Sequence, residues 1–268
     1  MDSIVTDRVA VEVSAHVAEV RLTRPDKHNA LDFAMFEAIS EAIDEVAADA
    51  SVRAVVLHGE GRSFCSGLDL ASFAAEQRPV DDVLSRRDGE DANLAQRVSY
   101  GWQTMPAPVV CAIHGNCLGG GAQIALGADI RIVAPDARVS IREGHWGLIP
   151  DMGITRSLPR LVRFDVAKEL VYTARIMDGT EAVEIGLATR LADDPLTAAR
   201  ELAAEIASRS PDAVRRAKTL LERGWTASPA ESLALEESLQ RELLGSANQM
   251  KAVTAGMSGE PAEFEDPS

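Results

Sequence analysis

Two hydrophobic periods alternate along the chain. Residues 9–13 and 17–23 place apolar side chains at every second position, the period of a half-buried strand, and read as a hairpin at a sheet edge. Phe36, Ile39, Ile43 and Val46 then fall three or four apart, which predicts a helix to about Asp49 with Asp32 as its N-cap. Arg53–His58 and Val109–Ile113 are short apolar runs, the pattern of strands covered on both faces. Asp129–Ala134, Arg138–Ile141 and Leu187–Leu191 complete the expected strands. Helices are expected over 93–104, Gln123–Leu126, Ser157–Val162, Asp165–Ala174, and from Thr180 as N-cap to a stop at Gly186. Residues 195–208, 211–223 and 229–257 form three further amphipathic stretches, with Pro195, Pro211 and Pro229 near their starts, where proline is tolerated. Strands mixed with helices, then helices alone, predict an α/β core over 1–195 and a helical part over 196–268.

Glycine and charge punctuate this pattern. Residues 59–69 and 115–121 are glycine-rich and each follows a predicted strand, where α/β folds place ligands. The second carries Gly119, Gly120 and Gly121 together and opens a short helix, which favours negative charge on free N–H groups. It lacks the Gly-Lys-Ser/Thr of a nucleotide P-loop and the spacing of a dinucleotide fingerprint. Residues 71–92 are polar and read as a mobile, solvated loop with some helix, with a lid as its functional alternative. The acidic stretch after Gly259 is expected to fray.

Composition narrows the function classes. Hydrophobic residues make up 46% of 268, enough for a packed core. A net charge of -15 disfavours nucleic acid and anionic lipid, and an anionic substrate would need a local basic patch. No apolar run approaches the ~18 residues of a membrane span. The stretch from Met1 to Asp7 lacks the basic and apolar regions of a signal peptide. Cys65, Cys111 and Cys117 lack metal-ligand spacing and read as reduced thiols, so the expected compartment is the cytoplasm. The five histidines form no metal pattern, and no metal is expected.

Two glycine loops offer pairs of backbone donors, and two donors aimed at one oxygen make an oxyanion hole. Glu143 and Asp151 lie near Trp146, Leu148, Ile149 and Met152, and carboxylates against apolar walls have raised pKa values suited to proton transfer. No G-x-S-x-G pattern supplies a serine nucleophile.

Four segments in order resemble the motifs of the crotonase superfamily, the enoyl-CoA hydratases and isomerases: Arg24–Leu31, Gly61–Leu70, Ala112–Gly115 with Gly119–Gly121, and Glu143–Gly153. The resemblance covers essentially the whole chain. It implies a spiral of ββα units with a C-terminal helical trimerisation part, assembled as a homotrimer or homohexamer. It implies an acyl-CoA thioester substrate, with coenzyme A as part of the substrate and no separate cofactor. By motif, the N–H groups of Leu68 and Gly120 would form the oxyanion hole. The coenzyme A part would lie along Arg24, Lys27, His28, Ala30 and Ser66, with Asp69 holding its loop, and Gly119 and Trp146 would also bind substrate. Arg24 and Lys27 would supply the local basic patch.

The sequence departs from the hydratase pattern. Hydratases of the family use two glutamates, and the first of these positions is Gln123, an amide that holds water or substrate but cannot act as a base. Glu143 fills the second position, and Asp151 stands where dienoyl-CoA isomerases carry aspartate. Ser258 and Gly259 replace the Lys-Arg usual before the last Pro-x-Phe, here Pro261 to Phe264. The expected activity is therefore double-bond isomerisation of an enoyl- or dienoyl-CoA through a thioester enolate. Hydration of 2-enoyl-CoA and non-catalytic acyl-CoA binding are the alternatives.

Overall fold

The alternating segments near the N-terminus pair as expected. In a computed structural model, which describes residues 4–76, 78–86 and 88–267, β1 (Ile4–Val5), β2 (Val9–Ser14) and β3 (Val17–Leu22) form an antiparallel edge, with Ala15 and His16 turning the hairpin at positive φ. Met1–Ser3, Gln77, Arg87 and Ser268 lie outside the described residues; Gln77 and Arg87 belong to the expected solvated loop. After β3, one turn of 3₁₀ helix at Pro25–Lys27 leads to α1 (Phe33–Ala48). The Asp32 side chain caps α1 by accepting from the Met35 N–H.

The apolar runs continue the sheet in parallel. β4 (Ala54–Gly59) pairs with β3, and β5 (Val109–Ile113) pairs with β4. Between them lie α2 (Leu70–Glu76), α3 (Asp81–Leu84) and α4 (Leu94–Thr104). β6 (Asn116–Leu118), α5 (Gly120–Gly127), β7 (Ile130–Val133) and β8 (Arg138–Ser140) follow. Then come α6 (Ile154–Leu161), α7 (Phe164–Thr173), α8 (Gly179–Glu184) and β9 (Arg190–Leu191). β7 pairs with β5, and β9 with β7, so the large sheet runs β1-β2-β3-β4-β5-β7-β9. β6 and β8 leave it and pair with each other in a second, two-stranded sheet. Strand, strand and helix recur as β2–β3–α1 and β5–β6–α5, the ββα spiral implied by the resemblance.

Both faces of the large sheet are covered, which is why β5 is apolar throughout and β4 is apolar but for His58. α1, α4 and α5 bury Phe33, Met35, Ile39, Trp102 and Ile124 against one face. Each such side chain contributes about 1.5–3 kcal/mol of transfer free energy. On the other face, Ala199, Ala203 and Ala207 of α9 (Pro195–Ala207) pack on Ala54, Val56, Val110 and Ile132. The line drawn at 195/196 therefore falls at the start of a helix that covers the sheet, and the outlying helices begin after it.

Those are α10 (Pro211–Gly224), α11 (Pro229–Leu243) and α12 (Ala247–Ser258). Lys218 ties α10 to the body: buried, it donates to the carbonyls of Trp102 and Ala107 and pairs with Asp129 at 2.7 Å. No helix among the described residues is long and apolar enough to cross a membrane.

Three expectations are corrected. The stretch 229–257 is two helices, because the chain turns at Gly245 and Ser246 caps α12 through the Gln249 N–H. The cap of α8 is Asp178, whose carboxylate accepts from the Glu181 N–H two residues earlier than the Thr180 cap required. Residues 264–266 do not fray: Arg53 donates to the Phe264 carbonyl and Asn248 exchanges two hydrogen bonds with the Glu265 backbone. The stretch 71–92 is, as expected, largely exposed among its described residues and partly helical, in α2 and α3, with Val83 buried and Phe73 packed against the core.

Candidate active site

The two glycine loops run side by side. Cys65 donates its N–H to the Asn116 carbonyl, and Leu118 returns one to the Cys65 carbonyl, so the first loop lies along β6. Asn29, fully buried, pins that loop by donating to the carbonyls of Glu60, Ser63 and Phe64. Gly121 sits so close beneath it that a Cβ would lie 2.4 Å from the Cys65 carbonyl oxygen. Gly67, at φ +89°, turns the first loop back over the second: a Cβ there would meet the Leu118 carbonyl at 2.7 Å and the Gly120 nitrogen at 3.5 Å.

This crossing brings two backbone donors to one place. Gly120 is the first residue of α5, where N–H groups have no partner within the helix. Leu68 follows Gly67 on the other loop. Neither N–H donates to an acceptor among the described residues. Both residues line a pocket of about 370 Å³. Its walls are apolar: Leu31 and Phe36 from the first layer, Leu70, Phe73, Val83 and Leu84 from α2 and α3, and Trp146, Leu148 and Ile149 from the fourth motif. Ser66, Gly119, Glu143 and Asp151 also line it.

Glu143 opens a 3₁₀ turn at Glu143–Trp146 and is buried. Its Oε1 accepts from Gln123 Nε2 at 2.6 Å, while its Oε2 is buried with no hydrogen-bond partner. Burial pushes the carboxyl above its ordinary range. The Gln123 hydrogen bond opposes that shift, and the charge of Asp151 adds to it. Asp151 stands at the exposed rim, where partial desolvation raises its carboxyl as well. The two acids are thus placed differently, one inside the wall and one at the mouth. Among the described residues no cluster of side chains could hold a metal ion.

Gln123 is not where the sequence led us to expect it. It is buried behind Glu143 rather than lining the pocket, and both ends of its amide are engaged. Its Oε1 accepts from the Met152 N–H at 2.9 Å. A backbone N–H only donates, so that bond fixes which end of the amide is oxygen and leaves Nε2 facing Glu143. Buried and away from the pocket lining, the amide does not present itself to a water beside the substrate. The partner could not be read from the sequence, because Met152 and Ser99, whose hydroxyl donates to the Gln123 carbonyl, lie 29 and 24 residues away.

Arg24 also differs from expectation. Its guanidinium is mostly buried, donates to the Ala30 carbonyl, and pairs with Asp32 at 3.4 Å and Asp69 at 2.9 Å. It is a brace within the fold and not a free cation. Asp69 does hold its loop, accepting from Arg24 and from the N–H and hydroxyl of Ser72. Lys27 is exposed and pairs with no carboxylate among the described residues. His28 places Nδ1 2.9 Å from the Ser63 hydroxyl, and Ala30 is buried under the Arg24 brace. Of this group only Ser66 reaches the pocket wall. Trp146 stands at the rim, 58% exposed, edge-on to His145.

Known proteins share this arrangement of sequence and fold. The chain is 36% identical over 248 residues to the mitochondrial Delta(3,5)-Delta(2,4)-dienoyl-CoA isomerase of Pongo abelii, covering 90% of this chain and 76% of that protein. It is 32% identical to the short-chain-enoyl-CoA hydratase of Clostridium acetobutylicum, covering 93% and 94%. The crystal structure of an enoyl-CoA hydratase from Bacillus anthracis superposes with a TM-score of 0.88 at 28% identity, covering 97% of this chain and all of that one. The sequence profile of the enoyl-CoA hydratase/isomerase family matches residues 12–267, and the chain belongs to that family of enzymes.

Proposed function

We propose that this enzyme shifts a double bond of an enoyl- or dienoyl-CoA thioester through an enolate. One observation carries the reading: a buried Glu143 with a bare Oε2 shares a pocket with two unpaired N–H groups, while position 123 is an amide already committed at both ends. The thioester oxygen accepts from the Leu68 and Gly120 N–H groups, which are strongest as donors when that oxygen becomes an enolate. Glu143 removes the proton next to the thioester carbonyl and returns a proton farther along the acyl chain. Asp151, at the rim, serves the longer shift of a dienoyl substrate. The apolar walls hold the acyl chain. The coenzyme A part passes Ser66 and runs toward Lys27, His28 and Ala30. Coenzyme A enters as part of the substrate, and the reaction needs no other cofactor.

Hydration of 2-enoyl-CoA is the second reading, favoured by the likeness to hydratases. A panel of 2-enoyl-, 3-enoyl- and dienoyl-CoA thioesters, followed by absorbance and product analysis, separates the two. Isomerisation as the fastest reaction supports the proposal, hydration as the fastest supports the second reading, and binding without turnover removes both.

A further inference from the structure

The polar stretch between the first glycine loop and α4 carries an apolar stripe. Leu70 and Phe73 stand one helical turn apart on α2, and Val80, Val83 and Leu84 recur at the same spacing at the start of α3 and along it. All five line the pocket. Leu70, Val80 and Leu84 are exposed and form an outer wall. The inner wall is Phe36, Val83 and Ala95, each buried, with Phe73 half-buried beside Phe36. Phe73 is braced from behind. Its ring stacks on Phe33 at 4.3 Å and meets Phe36 edge-on at 6.1 Å. Phe33 is buried and does not line the pocket, so the stack backs the wall. The Arg78 guanidinium lies over the Phe33 ring at 4.4 Å. Glu37 of α1 and Asp82 of α3 hold that guanidinium at 2.9 and 3.1 Å, which ties the two helices together behind Phe73.

We propose that Phe73, braced against Phe33 and Phe36, closes the inner end of the acyl pocket and restricts the substrate to medium-chain acyl thioesters of about eight to ten carbons. The inference rests on the acyl-CoA reading above and not on the choice between isomerisation and hydration. The pocket encloses about 370 Å³. At ~30 Å³ for each small group, the share of one water in the liquid, that is room for about a dozen non-hydrogen atoms. The thioester carbon, oxygen and sulfur take part of it, and the chain takes the rest. Each methylene laid along the apolar walls leaves water and strengthens binding by up to about 4-fold. A palmitoyl chain has to push the aromatic wall back against the Arg78 clamp or leave through the exposed mouth. The first course disrupts a packed stack, and the second returns methylenes to water.

Saturated acyl-CoA thioesters from butyryl- to palmitoyl-CoA, titrated calorimetrically into the wild-type protein below their micelle concentrations, test this without any need for turnover. Affinity should strengthen with each methylene up to about decanoyl-CoA, and the whole step from decanoyl- to palmitoyl-CoA should add less than about 4-fold, the value of one methylene. Affinity that keeps rising at the same rate to palmitoyl-CoA overturns the inference and leaves the acyl-CoA reading intact. Butyryl- and octanoyl-CoA that bind no more tightly than free coenzyme A overturn both. Two variants move the break in opposite directions. Phe73→Ala opens a cavity at the inner end and should shift the break longer by about two carbons or more. Ala95→Leu enlarges a side chain on the inner wall and should shift it shorter. A folded Phe73→Ala protein whose break stays in place overturns the role of Phe73. If that variant does not fold, the wild-type series and Ala95→Leu decide, and a break that Ala95→Leu leaves unmoved overturns the placement of the inner end.

Discussion

The guanidinium of Arg24 meets the carboxylate of Asp69 at 2.9 Å, and through it the loop before α1 is tied to the loop that carries Leu68. This pair is largely out of water, so removing one partner leaves a poorly solvated charge behind. Arg24→Ala should destabilise the fold by about 3 kcal/mol, the lower end for a broken buried pair, and should weaken turnover by loosening the Leu68 donor. Lys27→Ala, at an exposed and unpaired cation, should leave the melting temperature alone and weaken coenzyme A binding in a salt-dependent way. Thermal melts and calorimetric titration with coenzyme A check both. An Arg24→Ala protein of unchanged stability with lost coenzyme A affinity would restore Arg24 as a direct ligand contact.

That pair also marks where the sequence could be read and where it could not. The strands and most helices were legible because their apolar period follows from which faces are buried, and the glycine loops because close backbone approach admits no side chain. Glu143 was legible as a carboxylate in an apolar segment. The partners of Arg24, Gln123 and the chain end were not, since each bond joins residues far apart in the chain and any carboxylate or carbonyl in the fold could have supplied it. The same holds for Asn29, whose three bonds to the first glycine loop reach more than 30 residues away. The break at Gly245 was hidden because the helical period continues across it. The α8 cap was misplaced because Asp178 and Thr180 are both good caps two residues apart.

Gly67 sets the Leu68 loop against Leu118 and Gly120, whose N–H is the second proposed oxyanion donor. A side chain there would press on the Leu118 carbonyl, and φ +89° is strained for any residue with a Cβ. Gly67→Ala should therefore push the Leu68 loop away from Gly120 and lower kcat by about 10²–10³, the value of one lost donor. Acyl-CoA binding should fall much less. Steady-state kinetics with a binding titration separates the two, and a variant that loses affinity but keeps kcat would detach Gly67 from the oxyanion hole.

Glu143→Gln should lower turnover by at least about 10² and leave the fold intact. Stability gives an independent readout. The folded-state pKa of Glu143 is raised, chiefly by burial, so over the range between the ordinary carboxylate value of ~4.3 and that raised value the folded protein binds more protons than the unfolded one. Stability attributable to this group therefore falls as pH rises through that window. The glutamine variant should be more stable than wild type above it, and the difference should vanish in more acidic buffer. Melting temperatures across pH test the sign: a variant less stable than wild type at pH 8 would mean the ionised carboxylate is stabilised by something other than Gln123.

The outlying helices expose a row of apolar side chains, Leu233 and Leu244 on or beside α11 and Met250, Val253 and Met257 on α12. Such a surface on a chain of net charge -15 is expected to be covered by further copies of the same chain. Light scattering should report a trimer or hexamer at micromolar concentration. Leu233→Glu with Met257→Glu should shift the population toward smaller species, and a monomeric wild type would refute the expectation.

The last prediction turns on position 123 and the choice between moving a double bond and adding water. Adding water across a double bond calls for a group that activates the water and a group that delivers a proton to the second carbon. Glu143 supplies one such group. Gln123 cannot supply the other: it does not ionise near neutral pH, and its buried amide faces Glu143 and the Met152 N–H rather than the pocket. Isomerisation needs only a proton removed and a proton returned, which a single carboxylate can do over a short shift. The unmodified enzyme should therefore have a higher kcat/KM for 3-enoyl- or dienoyl-CoA isomerisation than for 2-enoyl-CoA hydration. Gln123→Glu would set two carboxyls against each other at the distance now spanned by a hydrogen bond, and like charges so close retain a shared proton. That variant should gain hydration relative to isomerisation, and its acid limb should lie at higher pH than that of wild type. Asp151→Asn should hurt dienoyl isomerisation more than either 3-enoyl isomerisation or hydration. If hydration is already the fastest reaction of the wild type, one buried carboxylate held by an amide is enough for this fold to add water, and the argument from Gln123 fails.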